Sequence, residues 1–181
     1  MSLQIYNTFS SQKEPFIAIQ EGKVSMYVCG PTVYGDSHLG HAKAYVSFDV
    51  ILRYFRYLGY KTFYVQNITD VGHLLGEDNE GEDRMLMRAR ELEQEPMVVA
   101  ENFTRRHFEV MDSLGVIRPD ISPRATGHIP EQLEVIEILL KKGLAYESGG
   151  SVYFEISKDP KYGEFSNRII EEMQGGARVK I

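Results

Sequence analysis

Between Met26 and Ala42 the sequence MYVCGPTVYGDSHLGHA gathers one thiol, two imidazoles and three glycines. His38 and His41 stand three residues apart, a spacing that puts both rings on one face of a helix's first turn. Two imidazoles so placed can reach one phosphate and donate hydrogen bonds to charge growing on phosphorus. Gly40 lies between them and has no side chain, so a flat ring such as adenine can lie against the backbone there. A four-residue pattern of this kind also occurs at helix starts that are merely capped, and the residues alone leave both readings open. Cys29 has alternatives too. It reads as a small buried hydrophobe, or, with His38 and His41, as a zinc site, since cysteine and histidine across a two-residue gap fit metal spacing. No fourth ligand is evident for such a site.

The surrounding elements must hold these groups in place. Val24 to Cys29 is a short apolar run that reads as a buried strand, ended by Gly30 and Pro31. From His38 to Leu58, Phe48, Ile51, Leu52, Phe55 and Leu58 recur at three- and four-residue steps, which predicts a helix stopped by Gly59. Thr62 to Gln66, rich in β-branched and aromatic residues, predicts a second buried strand. Strand, helix and strand make a βαβ unit with a parallel sheet and right-handed crossover. The glycine-bearing turn then leaves the C-terminal end of a parallel strand and enters a helix N-terminus, where ligands of open α/β sheets collect.

Further along, Met85, Leu86, Ala89 and Leu92 mark a short helix. Pro96 opens another, whose stripe is Ala100, Phe103, His107, Val110, Met111 and Leu114, closed by Gly115. Ile117 to Pro130 carries three prolines and no periodicity, and a domain boundary is expected there. Beyond it come a helix (Leu133, Ile136, Leu140, stop at Gly143) and a hairpin pairing Leu144–Tyr146 with Val152–Ile156 across Ser148-Gly149-Gly150. Ala177 to Ile181 reads as a strand cut short. Two parallel strands and one crossover bury too little sheet, so a fragment, or a chain needing a partner, is expected.

With 43% hydrophobic and 25% charged residues, the 181-residue chain is not a disordered, collagen-like or disulfide-framework protein. Its net charge of −6 excludes nucleic-acid binding through bulk positive charge and leaves room only for a local basic patch. The single cysteine makes no internal disulfide, which points to a reducing, cytoplasmic compartment. No apolar run approaches the roughly 20 residues needed to cross a bilayer, and no secretion signal opens the chain, so no membrane partner is expected.

Taken together and in order, MYVCGPTVYGDSHLGHA, YFRYLGYKTFYVQNITDVGH, RPDISPRATGHI and YGEFSN…QGGARV resemble the cysteinyl-tRNA synthetase family of class I aminoacyl-tRNA synthetases. The family's "HIGH" signature stands here as His38-Leu39-Gly40-His41. The resemblance implies an α/β fold: the first half of a class I, Rossmann-like (HUP-type) nucleotide-binding domain over residues 1–118. An inserted α+β connective domain would begin over 119–181. It implies catalytic roles for His38 and His41, and ATP contacts from Pro31, Thr32, His38, Gly40 and His41. It implies contacts to substrate cysteine from Gly30 and Thr69, and a zinc ligand in Cys29. Zinc would hold the substrate thiolate, which a serine hydroxyl cannot replace, so no editing site is required.

The implied activity is formation of cysteinyl adenylate from cysteine and ATP with Mg2+, followed by transfer to tRNA(Cys), by an enzyme expected to be monomeric at full length. The remaining zinc ligands and the lysine-rich KMSKS loop would lie beyond Ile181, so this chain alone should not make the adenylate. A ligase joining cysteine to an amino-sugar shares this N-terminal half and stays as an alternative, as does a non-catalytic nucleotide-binding paralogue. Thr69 reads equally as a helix N-cap. His73 stands where many relatives are acidic, and Gly76 to Asp83 reads as a solvated surface loop. His107 reads as a satisfied core histidine. Arg105-Arg106 and the Arg53, Arg56, Lys61 group read as solvated charge rather than tRNA contacts.

Overall fold

The computed structural model describes residues 3–72 and 83–166; His73, most of the Gly76–Asp83 loop and the expected terminal strand lie outside them. Contacts divide the chain into a central unit, Ala18–His128, and a flanking unit, Met1–Ile17 with Ile129–Ile181.

The central unit is built on the expected βαβ crossover. Strand β3 (Lys23–Val28) pairs in parallel with β4 (Lys61–Gln66), Val24 opposite Thr62 and Val28 opposite Gln66. The crossover is helix α1 (Leu39–Tyr57), and Gly59 follows it at φ 87°, a left-handed conformation that a side chain would strain. The face α1 buries consists of Tyr45, Leu52 and Phe55. Phe48, Ile51 and Leu58, expected on that face, are 38–42% exposed, so the helix carries more apolar surface than the described residues cover. Tyr45, Leu52, Val28, Tyr64 and Met111 form one core cluster.

Helices α2 (Arg84–Glu91) and α3 (Pro96–Ser113) follow, with Pro96 in the first turn of α3, where its missing N–H costs nothing. Met85 and Ala89 of α2 pack with Val99, Ala100 and Phe103 of α3, and with Val33 and Ile68, in a second cluster. The proline-bearing segment after α3 is not a free linker. Asp120 N–H donates to the Tyr64 carbonyl, Gln66 N–H to that of Ile121 and Ile68 N–H to that of Pro123, so this segment runs parallel along the outer side of β4. An edge position suits prolines, which have no N–H to offer a further strand. Buried Asp70 secures the segment's end, accepting from the Thr126 N–H at 3.0 Å and from its hydroxyl at 2.6 Å.

In the flanking unit β1 (Gln4–Asn7) and β2 (Gln12–Pro15) make an antiparallel hairpin that the hydrophobic pattern gave no sign of. Helix α4 (Ile129–Lys141) precedes the expected hairpin of β5 (Ala145–Ser148) and β6 (Ser151–Phe154). Gly149 and Gly150 both have positive φ, as a two-residue turn matching the strand twist requires. The 118/119 division implied by the resemblance and the contact division after His128 differ by the ten residues that run along and past β4.

Candidate active site at the start of the first crossover helix

His38 is the N-cap of α1, with extended backbone (φ −120°, ψ 177°). Its Nδ1 accepts the Gly40 N–H at 3.1 Å, and the Nδ1 of His41 reaches back to accept the His38 N–H at 3.1 Å. This is a capping box in which imidazole nitrogens do the work more usually done by serine and glutamate oxygens. The arrangement fixes the tautomers. A nitrogen that accepts carries no proton, so each neutral ring holds its hydrogen on Nε2. Burial, and the neighbouring His38, hold the His41 pKa below the ordinary imidazole value and favour that neutral form. The ring centroids are 4.0 Å apart. A Cβ on Gly40 would stand 2.9 Å from Cε1 of His38, so the missing side chain is what lets the capping ring fold back.

The other half of the site comes from the loops leaving β3 and β4. Thr69 N–H donates to the Pro31 carbonyl at 3.0 Å, and Val33 N–H to the Thr69 carbonyl at 3.2 Å, so the two exits continue the parallel pairing as Thr32 opposite Thr69. Asn67 ties them together. Its Oδ1 accepts the Gly30 N–H at 2.8 Å and the Tyr27 hydroxyl at 2.9 Å, and its Nδ2 donates to Thr69 Oγ1 at 3.2 Å. At Gly30 a Cβ would fall 1.5 Å from the Asn67 carbonyl oxygen, so no other residue fits without moving the backbone. Thr69 is not a helix N-cap: Asp70 to Gly72 after it are not helical, and the next described helix is capped by Asp83, whose side chain accepts the Met85 N–H. Pro31 is buried, while Thr32 and Thr69 are half-buried.

Cys29 is exposed at the C-terminal end of β3 and is not the buried small hydrophobe that one reading expected. Its carbonyl accepts the Tyr45 hydroxyl at 3.2 Å. Tyr45 lies one turn beyond His41, its ring stacked at 6.3 Å, and joins the strand end to the helix start. Burial, then the nearby Tyr64 and Cys29, push the Tyr45 pKa up to about 12, so the hydroxyl keeps its proton. The described residues contain no group of three His, Cys, Asp or Glu able to hold a metal. The reading of Cys29, His38 and His41 as a self-contained zinc site therefore fails, and both Nδ1 lone pairs are already spent on the capping box. Cys29 presents one sulfur donor where a tetrahedral zinc site needs about four ligands.

The structure thus brings Pro31 and Thr32 beside Thr69, ties Gly30 to Asn67 and Cys29 to Tyr45, and sets His38, Gly40 and His41 at the start of α1. Sequence reasoning missed Asn67 and Tyr45 as members of the assembly. Asn67 opens the Asn-Ile-Thr-Asp run, and Tyr45 stands four residues after His41, so both signals were present. A cleft of about 350 Å3 opens beside Tyr34 and Gly35, lined also by Arg84, Met87, Arg88 and Glu91, and includes none of the expected site residues. The four arginines expected to be solvated charge also have partners within the chain: Arg53 with Asp49 and the Gly115 carbonyl, Arg56 with Thr62, Arg105 with Glu101, and Arg106 with Asp36.

The family model described as tRNA synthetases class I (C) catalytic domain matches residues 15–181. A cysteine–tRNA ligase of Chlorobium chlorochromatii is 54% identical over 182 residues, which span 100% of this chain and 38% of that relative. Those of Thermus thermophilus and Deinococcus radiodurans are 51% and 52% identical, over 100% and 99% of this chain and 38% and 36% of theirs. The chain therefore spans less than two-fifths of the length of these curated relatives. Among solved structures, a leucyl-tRNA synthetase in a ternary complex from Agrobacterium radiobacter K84 superposes with a TM-score of 0.54 at 22% identity. That match covers 71% of this chain and 16% of the other, and shows a shared fold. With the parallel crossover and the histidine-capped helix start, these matches establish that the chain belongs to the class I (C) tRNA synthetase catalytic-domain family.

Proposed function

We propose that the full-length protein to which this chain belongs activates cysteine with ATP and transfers it to tRNA(Cys). The observation that carries this reading is the pair of Nε2–H donors at the N-terminus of α1, each fixed by its own Nδ1 hydrogen bond. In this reading the cysteine carboxylate attacks the α-phosphorus of ATP in line and pyrophosphate leaves. Negative charge grows on the phosphorus oxygens during that step. Donors already aimed, together with the positive end of a helix, stabilise it without reorganising. No side chain acts as nucleophile, and the protein contributes position and electrostatics. Pro31, Thr32, Gly40 and the two histidines line the ATP position, with ATP entering as its Mg2+ complex. Gly30 and Thr69 flank the amino acid.

Cys29 supplies one ligand of a zinc site whose other ligands lie outside these 181 residues. Zinc held by Cys29 and those ligands would supply a sulfur-seeking Lewis acid for the substrate thiol, a partner that a serine hydroxyl cannot replace. The chain alone, with one such ligand, does not make the adenylate. We place the protein in the cytoplasm as a monomer. No described helix is long and apolar enough to cross a membrane.

Cysteine-dependent ATP–pyrophosphate exchange by the full-length protein tests the first step. His38→Ala or His41→Ala should lower kcat about a hundredfold while the ATP dissociation constant changes little, because these bonds tighten as charge develops. A loss confined to ATP affinity would refute the transition-state role. Offering tRNA(Cys) and an amino-sugar as acceptors tests the second step, and product on the sugar alone would replace tRNA charging by the sugar ligase.

A further inference from the structure

We propose that His107, through Ser37, is a positioning residue for the two imidazoles of the α1 start. This rests on the functional reading above and adds to it a residue on a different helix, α3.

The geometry begins with a histidine where stability alone favours none. His107 is 2% exposed in the middle of α3. Its Nδ1 lies 2.8 Å from Ser37 Oγ, and its buried Nε2 meets no hydrogen-bond partner among the described residues. A buried ring nitrogen left unsatisfied costs about 1–3 kcal/mol, whereas an apolar side chain would fill the same space without that cost. What the imidazole adds is the Ser37 bond. Ser37 immediately precedes the N-cap, so fixing its side chain limits the backbone rotation that brings His38 to its capping conformation.

The same ring reaches the other branch of the site. Its edge meets Tyr45 at 5.2 Å, and Tyr45 both stacks on His41 and donates to the Cys29 carbonyl. Next door Arg106 pairs with Asp36 at 2.8 Å, so two successive residues of α3 hold two successive residues of the turn. The outer pair is about half exposed and contributes little; the buried pair sets the position. Burial, then the nearby His41, lower the His107 pKa to about 4, so the ring stays neutral and the bond to Ser37 does not switch near neutral pH.

The test uses the full-length protein with Ser37→Ala, His107→Leu, the double variant and His107→Asn, whose amide can stand where Nδ1 stood. Expected in cysteine-dependent exchange is a roughly tenfold lower kcat for each of the first two, with KM for ATP within about twofold. The double variant should be no worse than the poorer single, and His107→Asn should stay within about threefold of the parent. Additive losses, a KM effect without a kcat effect, or a fully active His107→Leu would overturn the proposal.

Amide hydrogen exchange supplies a readout independent of activity, and Ser37→Ala serves it even if His107→Leu does not fold. Peptides covering His38 to Ala42 should exchange at least tenfold faster, with the β4 peptides unchanged. Unchanged exchange there would sink the latch. A parent protein inactive with cysteine would sink the functional reading instead, leaving the exchange result to decide the latch.

Discussion

The central and flanking units draw on the same kinds of residue and treat their apolar side chains differently. In the central unit Leu52, Ile68, Val33 and Val99 are all but fully enclosed, and all the buried apolar residues described belong to that unit. In the flanking unit α4 buries none of its residues, and Leu133, Val135 and Ile138 are 43–56% exposed. An apolar stripe on a helix says that the face seeks cover, not that this chain provides it. The site's groups all stand on the unit that holds the buried core, so their positions follow from packing within Ala18–His128.

Glycines give the sharpest contrast. Gly30→Ala drives a Cβ into the Asn67 carbonyl, and the backbones of both strand exits must part. The expected cost exceeds about 4 kcal/mol, a large fraction of an ordinary domain's stability of about 5–15 kcal/mol. Gly149→Ala in the flanking hairpin meets open space and strains only its positive φ of 57°, a cost of about 1 kcal/mol. Urea denaturation of the two variants compares them, and equal losses would erase the distinction. Leu52→Ala should cost about 2–5 kcal/mol and leave a cavity, whereas Leu133→Ala on exposed α4 should stay within about 0.5 kcal/mol. A large loss at Leu133 would mean that α4 is covered after all.

Much of the central unit was legible because periodicity and punctuation agree there. The strand–helix–strand run, Gly59, Pro96 and Gly115 all stand where the sequence placed them. The Gly149-Gly150 hairpin was legible for the same reason, since φ requirements are local. What failed depended on distant partners. The edge pairing of residues 120–125 rests on β4 carbonyls and amides some 55 residues away, which no local pattern encodes. The β1–β2 hairpin has short, mostly exposed strands with little alternation to detect. His38 and His41 were identifiable by spacing, yet their tautomers were not, because these follow from which nitrogen meets which amide. The sequence reads His107 as a satisfied core histidine, and its buried place on α3 agrees, but among the described residues only Nδ1 has a hydrogen-bond partner, Ser37.

A third difference between the units is their response to acid. His41 and His107, the two described histidines whose ionisation folding shifts, both lie in the central unit. His107 has a folded pKa of about 4, against about 6.5 in an unfolded chain. The folded state therefore binds fewer protons than the unfolded state between those values, and stability falls as pH drops through that window. The slope approaches about 1.4 kcal/mol per pH unit and accumulates to at most roughly 3 kcal/mol near pH 4, while above pH 6.5 this residue contributes no slope. His41, also lowered, acts in the same direction and more weakly because it is less buried. Denaturation midpoints from pH 7.5 to 4 should show the decline in the parent and most of it removed in His107→Leu. A variant with an unchanged slope would transfer the effect to other groups.

The smallest expected effect separates holding a fold from placing a group. Tyr45→Phe removes the hydroxyl that donates to the Cys29 carbonyl and keeps the ring against His41 and His107. A single neutral hydrogen bond contributes about 1 kcal/mol, and Cys29 is exposed, so water can take over at its carbonyl and the loss should not exceed that. Tyr146→Phe in the flanking unit keeps its stacking with Tyr153 at 5.7 Å and should cost less than about 0.5 kcal/mol. Stability alone barely tells the two apart. Cysteine-dependent exchange in the full-length protein does, because freeing the Cys29 backbone should raise KM for cysteine several-fold with KM for ATP unchanged, while Tyr146→Phe leaves both alone. If Tyr45→Phe instead lowered kcat with both KM values intact, the tyrosine would act on the imidazoles rather than on the strand end.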